Sequence, residues 1–460
     1  MFSSSSVSSS SLVSTARRAP RWLLALAPPR RGMAAPAVLV NARRVPSLQP
    51  QRTSSSSSSS SFPFSPSSSF HSLAPRSSSL STCFLRISSS SSPPAFFLPP
   101  QQNRRRMASS SSTIPGGAAT DGSPNNVARS KTSFDEVDKT TGEFKRQPTT
   151  FRHWVKLDGS TEFPPEAGRY HLYVSYACPW ASRCLLFRSL KGLEEAIPVH
   201  TVAPRWGLVN KETGAHGWVF TSKEEGETSS DVIGGISCVD ELNHCKTLRE
   251  LYELAVPDYN GKYTVPVLWD SKTKTIVNNE SSEIIQMFNR EFNSMAKNAE
   301  LDLCPPELEN YIKELNDWMY DTINNGVYRC GFATTQEAYE SAFKTLFEKL
   351  DEAEAKLGTS RYLCGNTITE ADIRLFVTIV RFDPVYVGHF KCNKKRIVDH
   401  PHLWGWVRDV YQHPGVAETV NMHHIKHHYY GSHPKINPTL IVPVGPDIDY
   451  STPHHREKLF

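Results

Sequence analysis

The distribution of charge along the 460-residue chain confines the fold to its last three quarters. Residues 1–120 contain thirteen arginines and 36 serines but no aspartate, glutamate or lysine. Such a segment cannot bury enough apolar surface to offset the entropy of folding. The remaining residues hold 38 basic and 46 acidic groups, a net charge of −8, whereas the whole chain carries +5. We therefore expect a disordered basic leader joined to a mildly acidic globular body.

The composition of the leader, residues 1–106, is typical of an organelle transit peptide. Its serine tracts favour the chloroplast, its arginine-only basicity leaves the mitochondrion open, and initiation at Met107 would leave the protein in the cytoplasm. Its longest apolar run, 22–27, is far shorter than the roughly 18 residues that span a bilayer. Because the basic excess lies in low-complexity sequence, it does not indicate a nucleic-acid surface.

Hydrophobic periodicity divides the body into an α/β unit and a helical domain. Residues 107–150, rich in Ser, Gly, Pro, Asn and Thr, are predicted to be a linker and N-terminal extension. In 151–300 the order is strand–helix–strand, then helix–strand–strand–helix. Amphipathic segments dominate 301–420, which predicts an all-helical domain. Residues 421–460 form a tail rich in proline and histidine that either folds back on the body or stays loose.

The elements of the α/β unit follow from their residue types. The predicted strands are 169–176, 196–202, 263–269 and 275–277, and the predicted helices are 181–193, 246–254 and 280–292. The stretch 207–236, rich in glycine and charge, interrupts this pattern and is expected to be an insertion or a long loop.

Cys178 lies where the first predicted strand meets the first predicted helix. Pro179 suits the first helical turn, which places the Cys178 sulfur at unpaired N–H groups and at the positive end of the helix dipole. Both favour the nucleophilic thiolate, and Arg183 is expected to add positive charge. Ala181 occupies the place of the second cysteine of a dithiol motif, so a mixed disulfide on Cys178 requires an external thiol. Cys184 is expected to be packed.

Two further segments indicate a ligand site beside Cys178. Val265-Pro266 lies inside a predicted strand, where a cis bond would turn the Val265 backbone toward an extended peptide ligand, although an ordinary edge-strand proline is the alternative. Glu280 and Ser281 begin a helix, where N–H groups and the Ser281 hydroxyl would hold a carboxylate and Glu280 an amine. Helix capping alone also explains the serine.

These features, in this order, resemble the thioredoxin-like domain of a glutathione transferase. Longer motifs at 176–183, 217–220, 324–333 and 381–386 are similar to those of the glutathionyl-hydroquinone reductases, the xi class of that superfamily, as are 427–430 and 436–439 in the tail. The resemblance covers about residues 130–450. It implies a thioredoxin-like N-terminal domain over 151–300, a helical glutathione-transferase C-terminal domain over 301–420, and a homodimer.

The resemblance also implies a role for each matching residue. Cys178 corresponds to the catalytic cysteine, and Trp218, Val265, Glu280 and Ser281 correspond to glutathione-binding positions. Two tyrosines, Tyr328 and Tyr429, correspond to those that line the hydroquinone pocket, so the tail would return Tyr429 to the active site. Glutathione is then the co-substrate, and no metal is expected.

The implied reaction is reduction through a mixed disulfide. The Cys178 thiolate attacks the sulfur of a glutathionyl-hydroquinone, Tyr328 and Tyr429 assist protonation of the departing ring, and a second glutathione releases the enzyme. One alternative is a thioltransferase or dehydroascorbate reductase with the same intermediate. Another is a non-catalytic ligand-binding module of the same fold.

Metal binding is a weaker hypothesis. The nine cysteines include no Cys-x-x-Cys pair, so neither a zinc ribbon nor a disulfide scaffold is indicated. His423, His424, His427 and His428 have i, i+4 spacing that could present imidazole pairs on one helix face. A solvated or packed histidine face explains the same spacing.

Overall fold

The computed structural model describes residues 132–221 and 232–460. The leader 1–106, with its predicted targeting role, lies outside the described residues, as do 107–131 and 222–231. Within the described ranges, no helix is both long and apolar enough to cross a bilayer.

The described residues form eight β-strands and nine α-helices. The strands are β1 (Tyr170–Val174), β2 (Val199–Thr201), β3 (Gly207–Asn210), β4 (Ala215–Gly217), β5 (Val232–Ile233), β6 (Ile236–Ser237), β7 (Val267–Asp270) and β8 (Thr275–Asn278). The helices are α1 (Pro179–Leu190), α2 (Leu248–Ala255), α3 (Ser281–Arg290), α4 (Glu309–Met319), α5 (Gly326–Phe332), α6 (Gln336–Leu357), α7 (Glu370–Ile379), α8 (Pro401–Tyr411) and α9 (Met422–Ser432). Two π-helical turns, Tyr320–Asn324 and Phe382–Tyr386, follow α4 and α7.

A four-stranded mixed sheet of order β2-β1-β7-β8 forms the centre of the α/β unit. β1 runs parallel to β2, whereas β7 is antiparallel to both β1 and β8. Leu172, Tyr173 and Val174 of β1 have no exposed surface because elements cover both faces of this strand. The alternation of strands and helices predicted from sequence is confirmed, and it gives a thioredoxin-like unit.

The helical domain packs directly on the α/β unit, with α1 contacting both α3 and α7. Helix α7 begins at a capping box in which Thr369 and Asp372 exchange hydrogen bonds. The buried Asp372 carboxylate also accepts from the Leu363 backbone N–H and the Trp406 indole, at 2.9 and 3.0 Å. These bonds hold α7 against α8 and the preceding loop. The expected mixture of an α/β unit and a helical domain is therefore correct.

Two local predictions need correction. Val265-Pro266 is a cis peptide, but it precedes β7 instead of lying inside it. The described part of 207–236 is not a plain loop, because β3 and β4 form an antiparallel hairpin within it. In the turn between them, the Thr213 backbone N–H donates to Asn210 Oδ1 at 2.8 Å, and this turn brings the two short strands together.

Residues 107–150 are predicted to be a linker and N-terminal extension, and their described part, 132–150, is an extension packed on the body instead of a free linker. Residues 132–150 pack on the body: Val137 and Phe144 pair as an isolated antiparallel bridge, and the Phe144 ring is buried. Phe144 stacks against Tyr328 and Phe332, with centroids 6.1 and 5.5 Å away. The sequence did not predict this contact, because residues 132–150 are mostly polar and single aromatic residues such as Phe144, not a periodic apolar face, hold the segment on the body.

Candidate functional site

Cys178 caps the N-terminus of α1, at the end of β1, as the sequence predicts. Its backbone N–H donates to the Ser175 carbonyl at 3.1 Å, and Pro179 follows as the first helical residue. The Cys178 thiol lies 3.5 Å from the Val265 carbonyl oxygen, which accepts its hydrogen bond. The cis Val265-Pro266 segment and the α1 N-terminus therefore meet at the Cys178 sulfur.

The electrostatics at Cys178 differ from the expectation. Burial raises the pKa of the Cys178 thiol above its ordinary value of 9.0, although the backbone N–H groups of Ala181 and Trp180 act in the opposite direction. The positive charges that lower this pKa belong to Arg381 and Arg146. The helix N-terminus thus favours the thiolate as predicted, but desolvation outweighs it in the ligand-free protein.

Arg183 does not face the thiol in the way that its sequence position suggests. Its guanidinium is buried, donates to Asn324 Oδ1 at 3.0 Å and lies 4.4 Å from the centroid of the Trp180 ring. Burial lowers the pKa of Arg183 to about 9. Cys184 is fully buried, which agrees with the prediction that it is packed.

Arg381, and not Arg183 as expected, is the cation that contacts the β1–α1 turn carrying Cys178. It is buried and donates to the carbonyls of Tyr176 and Ala177 at 2.9 and 3.0 Å, and to Ser182 Oγ at 2.6 Å. Arg381 comes from the end of α7, so the helical domain fixes the turn that carries Cys178. The sequence motif 381–386 includes this arginine, but its spacing from Cys178 gave no indication of the contact.

A cleft of about 440 Å³ is lined by three of the predicted glutathione-binding residues: Val265, Glu280 and Ser281. We call it the Glu280 cleft. Glu280 caps α3, and its carboxylate accepts from the Ser282 backbone N–H at 3.1 Å and from Thr149 Oγ1 at 3.1 Å. Burial opposes ionisation of Glu280, but these hydrogen bonds outweigh it and lower its pKa below 4.5. Capping therefore does not explain Ser281, because Glu280 is the capping residue and Ser281 is the first residue of α3, and the ligand role of Ser281 stays a prediction.

The Cys178 chamber is an adjoining cavity of about 100 Å³ that Cys178 shares with Trp218, Tyr328 and Tyr429. The two tyrosine hydroxyls lie 2.6 Å apart, and Tyr386 Oη lies 3.1 Å from Tyr429 Oη. Burial raises the pKa of Tyr328 and of Tyr429, so both are phenols at neutral pH. The structure therefore brings together four residues that are separated by up to 251 positions in sequence.

The tail forms one wall of the Cys178 chamber through α9. His428 stacks on Trp218 with centroids 4.5 Å apart, and its Nδ1 lies 3.0 Å from the Pro204 carbonyl. Because a carbonyl only accepts, Nδ1 carries the proton. Burial lowers the pKa of His428 to about 3, so the ring is neutral. Of the two options for the tail, folding back on the body is the correct one.

Two cations between the chamber and the cleft are absent from the sequence prediction. Arg146 and Lys262 line both spaces. Arg146 lies over the Trp180 and Tyr328 rings, 4.7 and 5.0 Å from their centroids, and Lys262 pairs with Glu136 at 2.5 Å. Because Lys262 is paired with Glu136, Arg146 is the cation whose charge suits an anionic ligand such as a peptide carboxylate. Arg146 belongs to the segment predicted as a linker, which is why it was missed.

The four histidines of the metal hypothesis have other partners. His424 Nε2 contacts the Ile233 carbonyl at 2.6 Å, and the His423 and His427 rings stack 3.7 Å apart. His428 is directed to Pro204, as described above. No group of three or more His, Cys, Asp or Glu side chains that could hold a metal ion occurs in the described part of the chain.

Comparison with known proteins identifies the family. The profile of the glutathione S-transferase N-terminal domain matches residues 177–291, and that of the C-terminal domain matches 336–409. The glutathionyl-hydroquinone reductase YqjG of Escherichia coli strain K12 is 50% identical over 331 residues, which are 71% of this chain and 95% of that protein. The glutathionyl-hydroquinone reductase PcpF of Sphingobium chlorophenolicum is 48% identical, covering 69% and 94% of the two chains.

A solved structure gives the same family. The xi glutathione transferase ECM4 of Saccharomyces cerevisiae in complex with glutathione superposes with a TM-score of 0.62, at 36% identity, over 68% of this chain and 99% of that chain. The coverage of these relatives is nearly complete, and the profiles match both halves of the body. The chain belongs to the xi-class glutathione transferases, the family of the glutathionyl-hydroquinone reductases.

Proposed function

We propose that this protein is an enzyme that uses glutathione to reduce glutathionyl-hydroquinones to hydroquinones. The observation that carries the proposal is the continuity between the Cys178 chamber and the Glu280 cleft, which share the walls formed by Arg146, Lys262 and Val265. The cleft offers the α3 N-terminus, the Glu280 carboxylate and the Arg146 guanidinium to a peptide, and the chamber offers a thiol and two phenols to an aromatic ring. Relatives named for this activity support the proposal.

The proposed chemistry begins with protonation of the aromatic ring. Tyr328 and Tyr429 hydrogen-bond the substrate oxygens and deliver a proton to the ring carbon that carries sulfur, while a phenolic proton leaves, which gives the keto tautomer. Cys178 then gives up its thiol proton to solvent, and the thiolate attacks the glutathione sulfur. The S–S bond forms, the C–S bond breaks, and its electron pair restores the aromatic ring as a hydroquinone anion, which takes up a proton.

A second glutathione completes the cycle. Its thiolate attacks the glutathione sulfur of the mixed disulfide, so that oxidised glutathione forms and Cys178 leaves as a thiolate. The ring is thus reduced by two electrons, and the thioether sulfur of the substrate and the thiol of the second glutathione are joined as one disulfide. Ala181 in place of a second cysteine agrees with this dependence on an external thiol.

Replacement of the nucleophile tests the proposal. We expect Cys178→Ser to abolish reduction of a glutathionyl-hydroquinone, because a serine hydroxyl is not ionised at neutral pH. Mass spectrometry of protein quenched with this substrate, without free glutathione, should detect one glutathione on Cys178. Cys364→Ser, a partly exposed thiol outside both spaces, is the control. Unchanged turnover of Cys178→Ser, or an adduct on Cys184 or Cys330, would refute the assignment.

A substrate comparison separates the alternatives. Turnover is measured with glutathionyl-hydroquinone, dehydroascorbate and a conjugation substrate. We expect the first to be preferred, because phenols at 2.6 Å from each other provide paired hydrogen bonds for an aromatic diol. Preference for dehydroascorbate would favour a dehydroascorbate reductase or thioltransferase, and glutathione binding without turnover would favour a ligand-binding module.

We also propose a chloroplast location and a homodimer. The acid-free, serine-rich composition of 1–106 supports chloroplast import, and a fluorescent fusion of this segment tests it against the mitochondrion. A start at Met107 would give a cytoplasmic protein. The dimer follows from the family, and its mass in solution by sedimentation equilibrium tests it.

A further inference from the structure

A third cavity, which we call the Arg205 cavity, adjoins both the Cys178 chamber and the Glu280 cleft. It has a volume of about 480 Å³ and lies between the N-terminal segment, the β3–β4 hairpin and the tail. Thr132, Trp206 and His216 line both this cavity and the Cys178 chamber. Thr132 and Asp135 also line the Glu280 cleft, so the Arg205 cavity adjoins both other spaces at the N-terminal segment.

The charges of the Arg205 cavity match those of a small peptide acid. Arg205 and Lys435 line it and are exposed, and neither has an acidic partner within 4.0 Å among the described residues. Asp135 also lines it. Its Oδ2 accepts from the Thr132 N–H and hydroxyl, whereas its Oδ1 has no donor among those residues. Two cations and one carboxylate are the complement of two carboxylates and one ammonium group, the charges that glutathione carries at neutral pH.

The side chains of Arg205 and Lys435 are each held in place by a neighbouring residue. The side chain of Arg205 lies against Gly431 of α9, where a Cβ would come within 2.8 Å of Arg205 Nε. The Lys435 ammonium lies 5.0 Å from the centroid of the Phe134 ring, a cation–π distance. The cavity therefore requires the tail and the N-terminal segment to be folded on the body.

An unpaired donor lies at the boundary between the two spaces. The Trp206 indole Nε1 is buried and has no hydrogen-bond partner in the described part of the chain, while the Trp206 backbone N–H is held by Ser432 Oγ at 3.0 Å. A buried N–H without an acceptor is costly unless a ligand supplies one. A peptide carbonyl or carboxylate that passes from the Arg205 cavity to the Cys178 chamber would satisfy this donor.

We propose that the Arg205 cavity binds the second glutathione, the one that resolves the mixed disulfide. This inference rests on the proposed function. Once the first glutathione is bound to Cys178, its peptide portion occupies the Glu280 cleft, and the Arg205 cavity is the second charged space that adjoins the chamber. Arg205 and Lys435 hold the two carboxylates, Asp135 holds the ammonium group, and the thiol enters the chamber vacated by the hydroquinone.

The resolving step can be measured separately from the aromatic chemistry. The Cys178–glutathione adduct is prepared once with glutathionyl-hydroquinone and once with oxidised glutathione, freed of excess reagent, and mixed with glutathione while release of the adduct is followed by mass spectrometry. Arg205→Gln/Lys435→Gln is the test variant. Lys394→Gln/Arg396→Gln, which removes the same charge from a surface outside the three spaces, is the control.

We expect the test variant to require about 10-fold more glutathione for half-maximal release of the adduct, because two partly exposed charge contacts are lost. Its release by 2-mercaptoethanol, which has no carboxylate, should be unchanged, and so should formation of the adduct from the aromatic substrate. A glutathione requirement equal to that of the control would overturn the proposal. Slower adduct formation with unchanged release would do the same and would assign the cavity to the aromatic substrate.

The two proposals fail in different ways. If glutathionyl-hydroquinone forms no adduct on Cys178 in the unaltered protein, the proposed function is wrong. The adduct made with oxidised glutathione still tests the resolving site in that case, because its release requires only glutathione and the Arg205 cavity.

Discussion

Tyr328 and Tyr429 provide the Cys178 chamber with two phenol hydroxyls that are hydrogen-bonded to each other. Each ring is buried, and each pKa is raised by burial, so the pair keeps its protons and can only share or donate them. Tyr386 donates to or accepts from Tyr429 at 3.1 Å but is not part of the chamber lining. The three phenols are therefore unequal: two are placed to contact a substrate, and the third orients one of them.

Removal of these hydroxyls distinguishes their roles. We expect Tyr328→Phe and Tyr429→Phe to slow reduction of glutathionyl-hydroquinone by roughly 10²-fold each, because ring protonation loses a positioned acid. Tyr386→Phe should have a smaller effect, and Tyr450→Phe, whose hydroxyl binds the Val380 carbonyl, is the control. Single-turnover rates of adduct formation provide the measurement. Equal rates in Tyr429→Phe and in the control would exclude proton transfer by this residue.

The turn between β1 and α1 depends on an element from the other domain. Arg381, at the end of α7, donates to two carbonyls of the turn and to Ser182 of α1. The thioredoxin-like unit supplies Cys178, the helical domain supplies Arg381 and Tyr328, and the tail supplies Tyr429. The interface between the domains is therefore part of the site and not only a packing surface.

Arg381→Gln tests this dependence between elements. Loss of the Arg381 charge should raise the pKa of Cys178 further, so the pH profile of Cys178 alkylation in the folded protein should move to higher pH. Unfolding should also become easier by about 3 kcal/mol, because several buried carbonyls lose a charged donor. Arg361→Gln, which breaks the pair with Asp409, is the stability control. An unshifted alkylation profile in Arg381→Gln would contradict the electrostatic role.

The fold as a whole keeps three histidines neutral beside the chamber. Burial lowers the pKa of His428 to about 3 and that of His389 to about 4, and it lowers the pKa of His433 well below 6.5. His389 Nε2 and His433 Nδ1 lie 3.1 Å apart. Below the ordinary value of 6.5 the unfolded chain therefore binds more protons than the native protein, and stability must fall as the pH falls.

Acid stability tests this consequence. Between pH 7.5 and 5.5 we expect each of the three histidines to remove about 1.4 kcal/mol from the free energy of unfolding, roughly 4 kcal/mol in total. Urea unfolding at the two pH values measures it. His428→Gln should lose about a third of this difference, whereas His455→Asn, at an exposed position, should retain it. An equal pH dependence in all three proteins would show that His428 is not held neutral by the fold.

Local sequence patterns were sufficient to predict the main strands and helices of the α/β unit and the position of Cys178. Periodicity and the Cys178-Pro179 pair are local, so they predicted β1, α1 and the helix that begins after Glu280. The packing of 132–150 and the partners of Arg146 and Arg381 were not predictable, because each depends on chain segments far apart in sequence. The net ionisation of Cys178 was also decided by the tertiary structure, since desolvation is a property of the surrounding fold and not of the motif.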